Sequence, residues 1–132
     1  MRLLLSFLLL CCLCAYGQVA ATAAITSGQS ESSSVRVEVR GERMMYSHAA
    51  IIMPSAWTAA RIAFRASLDG TAWHDVYDPD GTRVTVAAAA GRWIELPMSA
   101  VWAAKYLRLV SVDAGGAPVV QTADRAIIVV MR

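Results

Sequence analysis

The chain has 132 residues, of which 57% are hydrophobic, and a formal net charge of +2 at pH 7. This length is enough for one domain and little more, and so small a charge excludes strong electrostatic attraction to nucleic acids or anionic lipids. The three cysteines, Cys11, Cys12 and Cys14, all lie near the N-terminus. A chain processed downstream of them would have no thiol for a disulfide, for catalysis or for a zinc site.

Residues 1–23 have the pattern of a targeting segment. Met1-Arg2 gives a positive start, and the apolar stretch at 3–16 is too short to span a bilayer comfortably as a helix. Small residues at 15–17 and at 21–23 provide two acceptable signal-peptidase sites. We expect this segment to form a hydrophobic helix and favour a cleaved signal peptide. The alternatives are an uncleaved anchor in contact with a membrane and an N-terminal extension that results from a wrongly assigned start codon.

The rest of the chain, residues 24–132, has the pattern of one β-sandwich domain. Val35 to Arg40 alternates valine with charged residues, and Arg61 to Ser67 alternates similarly, with Ile62 and Phe64 predicted to face the core. Further strand-like stretches lie at 44–54, 71–78, 83–90, 91–97, 105–112 and 124–132. Frequent turn residues favour an antiparallel jelly roll of about seven or eight strands over a parallel sheet.

Several connecting segments also carry predictions. Residues 54–60 and 98–104 are expected to form short helical turns, because each begins with or follows a proline and contains a serine that could cap a helix. Trp57 and Trp102 would then close the ends of the sandwich. The apolar run at 124–132 is typical of a strand buried on both faces. The loop before it is expected to be tied to the sandwich by hydrogen bonds from Gln121, Asp124 and Arg125.

A short aromatic and acidic stretch lies between two turn signals, Asp69-Gly70 and Asp80-Gly81. A histidine beside an acid is the pattern of a general base, but neighbouring strand residues point to opposite faces, and the sequence has no G-x-S-x-G nucleophile motif. We therefore expect a non-enzymatic protein. Aromatic rings beside arginines and acids are typical of sugar-binding surfaces. The candidate ligand-binding residues are Trp73, His74, Asp75, Tyr77, Arg65 and Arg108.

The same stretch contains a candidate calcium site. Asp75, Asp78 and Asp80 could offer oxygen ligands to Ca²⁺, although their spacing is not that of an EF-hand loop. The alternative is a plain turn, in which Pro79 supplies a fixed φ and Gly81 a positive one. We favour the turn. A structural calcium ion at these three aspartates is the alternative, and we expect no other cofactor.

Two resemblances follow from these motifs. Ser67-Leu68-Asp69-Gly70-Thr71-Ala72-Trp73 and the later Lys105-Tyr106-Leu107-Arg108-Leu109 resemble the core pattern of discoidin-like, galactose-binding-like jelly rolls. A longer stretch, from about residue 25 to residue 132, is similar to small, mostly uncharacterised proteins encoded in tailed-phage and prophage structural gene clusters. That likeness includes MPSAWTAA at 53–60, FRASLDG at 64–70 and PVVQTADR at 118–125.

Each resemblance implies a function. The second implies a phage or prophage accessory structural protein of the virion, a head decoration or a tail or fibre component. Such a protein would contact other virion proteins, a host surface or further copies of itself. The first implies a secreted or periplasmic carbohydrate-binding module with glycans as partners. Neither implies a nucleic-acid partner.

Overall fold

The structure, a computed structural model, describes residues 19–37, 48–97 and 103–132. These residues form nine β-strands and no helix, so that none of them lies in a helix that could cross a membrane. The strands are β1 (Val19–Ile25), β2 (Val35–Arg36), β3 (Ala49–Ile52), β4 (Arg61–Ser67), β5 (His74–Asp75), β6 (Thr85–Ala87), β7 (Trp93–Glu95), β8 (Tyr106–Val112) and β9 (Arg125–Met131).

The strands form two antiparallel sheets. Sheet A has the order β1-β9-β3-β7, and sheet B has the order β2-β8-β4-β5, with β6 pairing with the other half of β4. The chain changes sheet at most of its connections, because β1, β3, β7 and β9 belong to sheet A and the others to sheet B. The predicted all-β antiparallel fold is confirmed.

One hydrophobic core lies between the sheets. Ile62 and Phe64 of β4 face it and are fully buried, as the alternation in that strand predicts. Side chains from both sheets complete it, including Ile25, Ile51, Leu107, Leu109, Ile127 and Val129. Each such residue contributes roughly 1.5–3 kcal/mol relative to an exposed position. This core fixes which residues of each strand face outward.

Strand β1 is the main difference from the prediction. It begins at Val19 and pairs with β9 along its whole length, so residues 19–23, which the sequence analysis places in the N-terminal segment, belong to sheet A. Ala23 and Ile25 are fully buried in the core. The strand escapes detection because alanine has low β-propensity and because the apolar stretch before it hides its alternation.

The middle of the chain has shorter strands than predicted. Only His74–Asp75 of the stretch at 71–78 is a strand, and residues 83–90 and 91–97 contribute three strand residues each. These two short strands belong to different sheets, β6 to sheet B and β7 to sheet A. In total, the described residues form nine strands, whereas seven or eight were expected. Gly91, with φ of +68°, takes part in the turn that separates β6 from β7.

Other local predictions have mixed outcomes. Residues 54–60 are not helical, although Trp57 does pack against the core and its Nε1 donates to the Ala60 carbonyl at 3.1 Å. Strand β9 is buried on both faces only near its end, because Ala126 is exposed and Ile128 is 39% exposed. Residues 1–18 of the predicted N-terminal helix, the stretches at 38–47 and 98–102 and Trp102 lie outside the described residues, whereas residues 19–23 form a strand and not the expected helix.

The loop before β9 is tied down by side chains, as predicted. Gln121 is fully buried, its Nε2 donates to Ser111 Oγ at 2.8 Å, and its Oε1 accepts from the Thr58 backbone N–H at 3.0 Å. Arg125 Nε donates to the same oxygen at 3.4 Å, and Asp124 Oδ1 accepts from the Ser27 backbone N–H at 2.8 Å. These bonds satisfy a buried amide and fix the loop against both sheets.

Candidate functional site

Two of the predicted site residues lie side by side on the outer face of sheet B. Arg65 of β4 is directly opposite Arg108 of β8 in the antiparallel register. Like charges in such a pair repel each other. Glu31 compensates both, with N–O distances of 3.0 Å to Arg65 Nη1 and 2.9 Å to Arg108 Nη1. An isolated bridge from Glu31 to Val110 places this carboxylate beside the two arginines.

A second carboxylate lies on the other side of Arg65. Asp75 of β5 is opposite Arg65 in the register, with its Oδ1 3.7 Å from Arg65 Nε and 2.8 Å from Arg83 Nη2. Acids and bases thus alternate along the face, and we call Glu31, Arg65, Arg108, Asp75 and Arg83 the outer ionic row. A single exposed ion pair contributes only about 0–1 kcal/mol, whereas members of a network support one another.

Trp73 contacts two arginines of the outer ionic row, Arg108 and Arg65. The guanidinium carbon of Arg108 lies 4.2 Å from the centroid of the Trp73 ring, a cation–π contact. Arg65 Nη2 donates to the Trp73 backbone carbonyl at 3.3 Å. One face of the indole is therefore covered by protein. The structure brings four of the six candidate ligand-binding residues together, Trp73, Asp75, Arg65 and Arg108. Their charged groups mostly contact one another or Glu31 and Arg83.

His74 and Tyr77 occupy different positions. His74 is opposite Ala66, and Asp75 is opposite Arg65. Because neighbouring strand residues point to opposite faces, His74 points away from the face that carries the outer ionic row, as strand alternation predicts. His74 and Asp75 are both exposed. Tyr77 is 56% exposed and bridges to Arg83 at the rim. The row therefore contains no histidine–carboxylate pair.

Two members of the outer ionic row, Glu31 and Arg83, were not among the candidate residues predicted from the sequence. Glu31 lies in a serine-rich segment whose pattern predicts no strand, and its partners follow it by 34 and 77 residues. Arg83 lies beyond the Asp80-Gly81 turn and meets Asp75 only because the Tyr77–Arg83 bridge closes that turn. The turn was visible in the sequence, so Arg83 could have been found from hairpin geometry, whereas Glu31 could not.

The predicted calcium ligands do not come together. Asp75 is engaged by arginines, and Asp78 Oδ1 accepts from the backbone N–H groups of Asp80 and Thr82 at 3.0 and 2.8 Å. Within the described ranges, no group of three or more carboxylates, histidines or cysteines is placed to hold a metal ion. The segment is a turn built on Asp78, with Gly81 at φ of +81°.

The discoidin-like motif also forms a turn. Asp69 Oδ1 accepts from the backbone N–H groups of Ala72 at 2.9 Å and Thr71 at 2.8 Å and from Ser67 Oγ at 3.0 Å. These bonds, with the Ala72 backbone N–H as the largest cause, hold the pKa of Asp69 far below its usual range. Gly70, at φ of +80°, packs against the Tyr106 ring. The motif therefore fixes the connection after β4.

The outer face of sheet A differs sharply from that of sheet B. Along β1 and β9 it presents an uncharged surface, which we call the β1–β9 face: Ala20, Thr22, Ala24, Ala126 and Ile128, all exposed. Next to it, towards β3 and β7, lies a groove of about 570 Å³ lined by His48, Ala49, Ala50, Trp93, Glu95, Val130 and Arg132. Trp93 was not among the predicted site residues.

Comparison of the chain with protein-family models, curated proteins and solved structures gave no match.

Proposed function

We propose that this protein is a non-catalytic accessory structural protein of a tailed phage or prophage, a head decoration or a tail or fibre component that makes protein contacts. We further propose that its sandwich is a jelly roll. The strand orders β1-β9-β3-β7 and β2-β8-β4-β5 support that topology, with β6 as an additional short strand. Jelly rolls occur in viral capsid proteins and in lectins.

The observation that carries the structural role is the difference between the two outer faces. On sheet B, Glu31 and Asp75 are each paired with arginines of other strands, so these charges hold strands together. On sheet A, the β1–β9 face carries small or aliphatic side chains and no charge. An uncharged and largely apolar outer surface of this kind is suited to contact with another molecule.

The partner that we propose for the β1–β9 face is a second copy of the chain. Because none of its five residues is charged, two such faces can approach without like-charge repulsion. Small side chains also allow sheets to pack face to face at about 10 Å, the spacing of stacked sheets. Self-association is what a head decoration or fibre component needs, because these parts are present in many copies.

Ile128→Arg tests this proposal. It places a charge in the middle of the face, and because Ile128 is partly exposed the fold should tolerate it. Leu68→Arg is the matched control, since Leu68 is 74% exposed on a turn outside sheet A. Light scattering across a concentration series should show wild type and Leu68→Arg as oligomers and Ile128→Arg as a monomer. A monomeric wild type, or equal oligomers of all three, would contradict the proposal.

A second candidate function is the secreted carbohydrate-binding module. The residues first predicted for it support it less, because Arg108 covers one face of Trp73. One observation still favours it: Trp93 is 55% exposed in a groove that also contains polar side chains. Binding of this kind would also suit a phage component that contacts a host surface.

A further inference from the structure

The register of sheet A explains how the groove is assembled. Ala50 is opposite both Glu95 and Val130, and Ile52 is opposite Trp93. Opposed residues share a face, and side chains two apart on a strand share it too. The backbones of His48 and Arg132 exchange hydrogen bonds of 3.1 and 2.9 Å. One outer face therefore holds His48, Ala50, Trp93, Glu95, Val130 and Arg132.

Trp93 is held in place although it is exposed. Its Nε1 donates to Glu95 Oε1 at 2.6 Å, so the indole is tied along its own strand. The small side chain of Ala50 on the neighbouring strand leaves space beside it. A ring fixed before binding loses little rotamer freedom when a ligand packs on it. The groove thus offers a preorganised flat apolar surface.

The polar groups of the groove are disposed differently from those of the outer ionic row. Glu95 makes no further hydrogen bond among the described residues beyond the one from Trp93, so its second carboxylate oxygen can accept one. Arg132 adds guanidinium donors at the other end of the groove. The acid Glu95 and the guanidinium of Arg132 carry opposite charges, so the two offset each other within the lining.

From these features we propose that the groove binds a neutral saccharide. A pyranose ring presents an apolar face that can stack on Trp93 and hydroxyl groups that can donate to Glu95 and accept from Arg132. The volume of about 570 Å³ lies within the range of small-ligand sites, about 300–1,000 Å³. The groove is separate from the residues around Trp73, and this inference does not rest on the virion role proposed above.

Titration of the full chain with free saccharides tests the site. The probes are lactose, maltotriose and chitotriose as neutral sugars and sialyllactose as a charged one, followed by calorimetry and by tryptophan fluorescence. We expect at least one neutral probe to bind with a Kd below about 1 mM, and sialyllactose to bind no better than lactose. Failure of all neutral probes to bind, or binding of sialyllactose alone, would overturn the proposal.

Substitutions locate the binding. Trp93→Ala should weaken binding of the responding neutral probe roughly tenfold or more, because it removes the stacking surface. Val120→Ala is the control, since Val120 is also 55% exposed but lies in the loop before β9 and does not line the groove. Glu95→Gln retains an acceptor for the indole and should weaken binding by a smaller factor. Unchanged affinity in Trp93→Ala at an unchanged melting temperature, or equal losses in Trp93→Ala and Val120→Ala, would overturn the proposal.

The proposal of self-association and the proposal of saccharide binding can be contradicted separately, because each has its own variant. Ile128→Arg should abolish oligomers and leave the saccharide affinity within about twofold of wild type, since Ile128 does not line the groove. Trp93→Ala should leave the oligomers intact and weaken saccharide binding. If Ile128→Arg abolished saccharide binding at an unchanged melting temperature, the site would belong to the interface between copies and the groove proposal would be wrong.

Discussion

Glu31 keeps two adjacent arginines together on the surface of sheet B. Without its charge, Arg65 and Arg108 would face each other across β4 and β8 with no acid between them. We predict that Glu31→Gln lowers the free energy of unfolding by about 1 kcal/mol, the scale of a partly exposed pair in a network. Urea denaturation measures it. Asp80→Asn removes an exposed acid that contacts no arginine within the described residues, so it should have almost no effect. Equal losses in both variants would refute this role for Glu31.

Asp69 gives the fold a dependence on pH. Its folded pKa lies below the unfolded value of about 3.9, so its charged form stabilises the fold above that pH, and this contribution is lost as the pH falls toward the folded pKa. We predict that Asp69→Asn is less stable than wild type near pH 7 and that the difference shrinks near pH 3.

Urea denaturation of both proteins at the two pH values measures this difference. Asp80→Asn serves as the control, because Asp80 accepts no side-chain hydrogen bond among the described residues and its substitution removes the same charge. A stability difference for Asp69→Asn that stayed constant between the two pH values would show that the Asp69 carboxylate does not act through its charge.

Strand β1 makes one of the two predicted processing sites incompatible with the fold. Cleavage after Gly17 keeps Val19 and all seven register pairs with β9, whereas cleavage after Ala23 removes five of the seven β1 residues and the buried Ala23. We predict that a chain starting at Gln18 unfolds cooperatively. A chain starting at Ala24 should melt at least about 10 °C lower or not fold, because β9 loses most of its pairing with β1 and becomes an edge strand that pairs only with β3. Equal melting temperatures for the two chains, measured by circular dichroism, would contradict this account of β1.

Strands β4 and β8 show how much of the fold the sequence could predict. In β4 the alternation identifies Ile62 and Phe64 as facing the core. In β8 the pattern indicates a strand, but the four residues from Leu109 to Val112 are all buried, so its core face does not follow from the pattern alone. Strand β1 is built largely from alanine, and β6 and β7 are three residues long, so local pattern reveals neither the missed strand nor the assignment of β6 and β7 to different sheets.

The candidate sites, like the strands, could be predicted only where the local sequence pattern is clear. Trp73 and Asp75 are near neighbours in one strand-like stretch, and the arginines belong to clearly alternating strands, so their cluster could be foreseen. The groove could not, because its residues come from three strands whose order in sheet A depends on long-range pairing. Glu31 is a similar case, since only its bridge to Val110 brings it to the row.

At the scale of the whole molecule, the two outer faces have different roles in our account. Sheet B carries charges that pair with one another and connect strands β8, β4 and β5 to the segments around them. Sheet A carries an uncharged surface and, beside it, the groove with the exposed Trp93. A domain arranged in this way can attach to its own copies through one part of sheet A while an adjacent part remains available to a ligand.

The most direct test of the virion role is mass spectrometry of the protein from its native host. Intact mass would be measured in purified phage particles, in the periplasm and in particle-free medium. We predict that the protein is found in the particles, in constant proportion to the capsid protein, with a mass that retains Val19 and everything after it. Recovery only as a free protein in the periplasm or the medium, with none in the particles, would contradict the virion role and favour the secreted binding module.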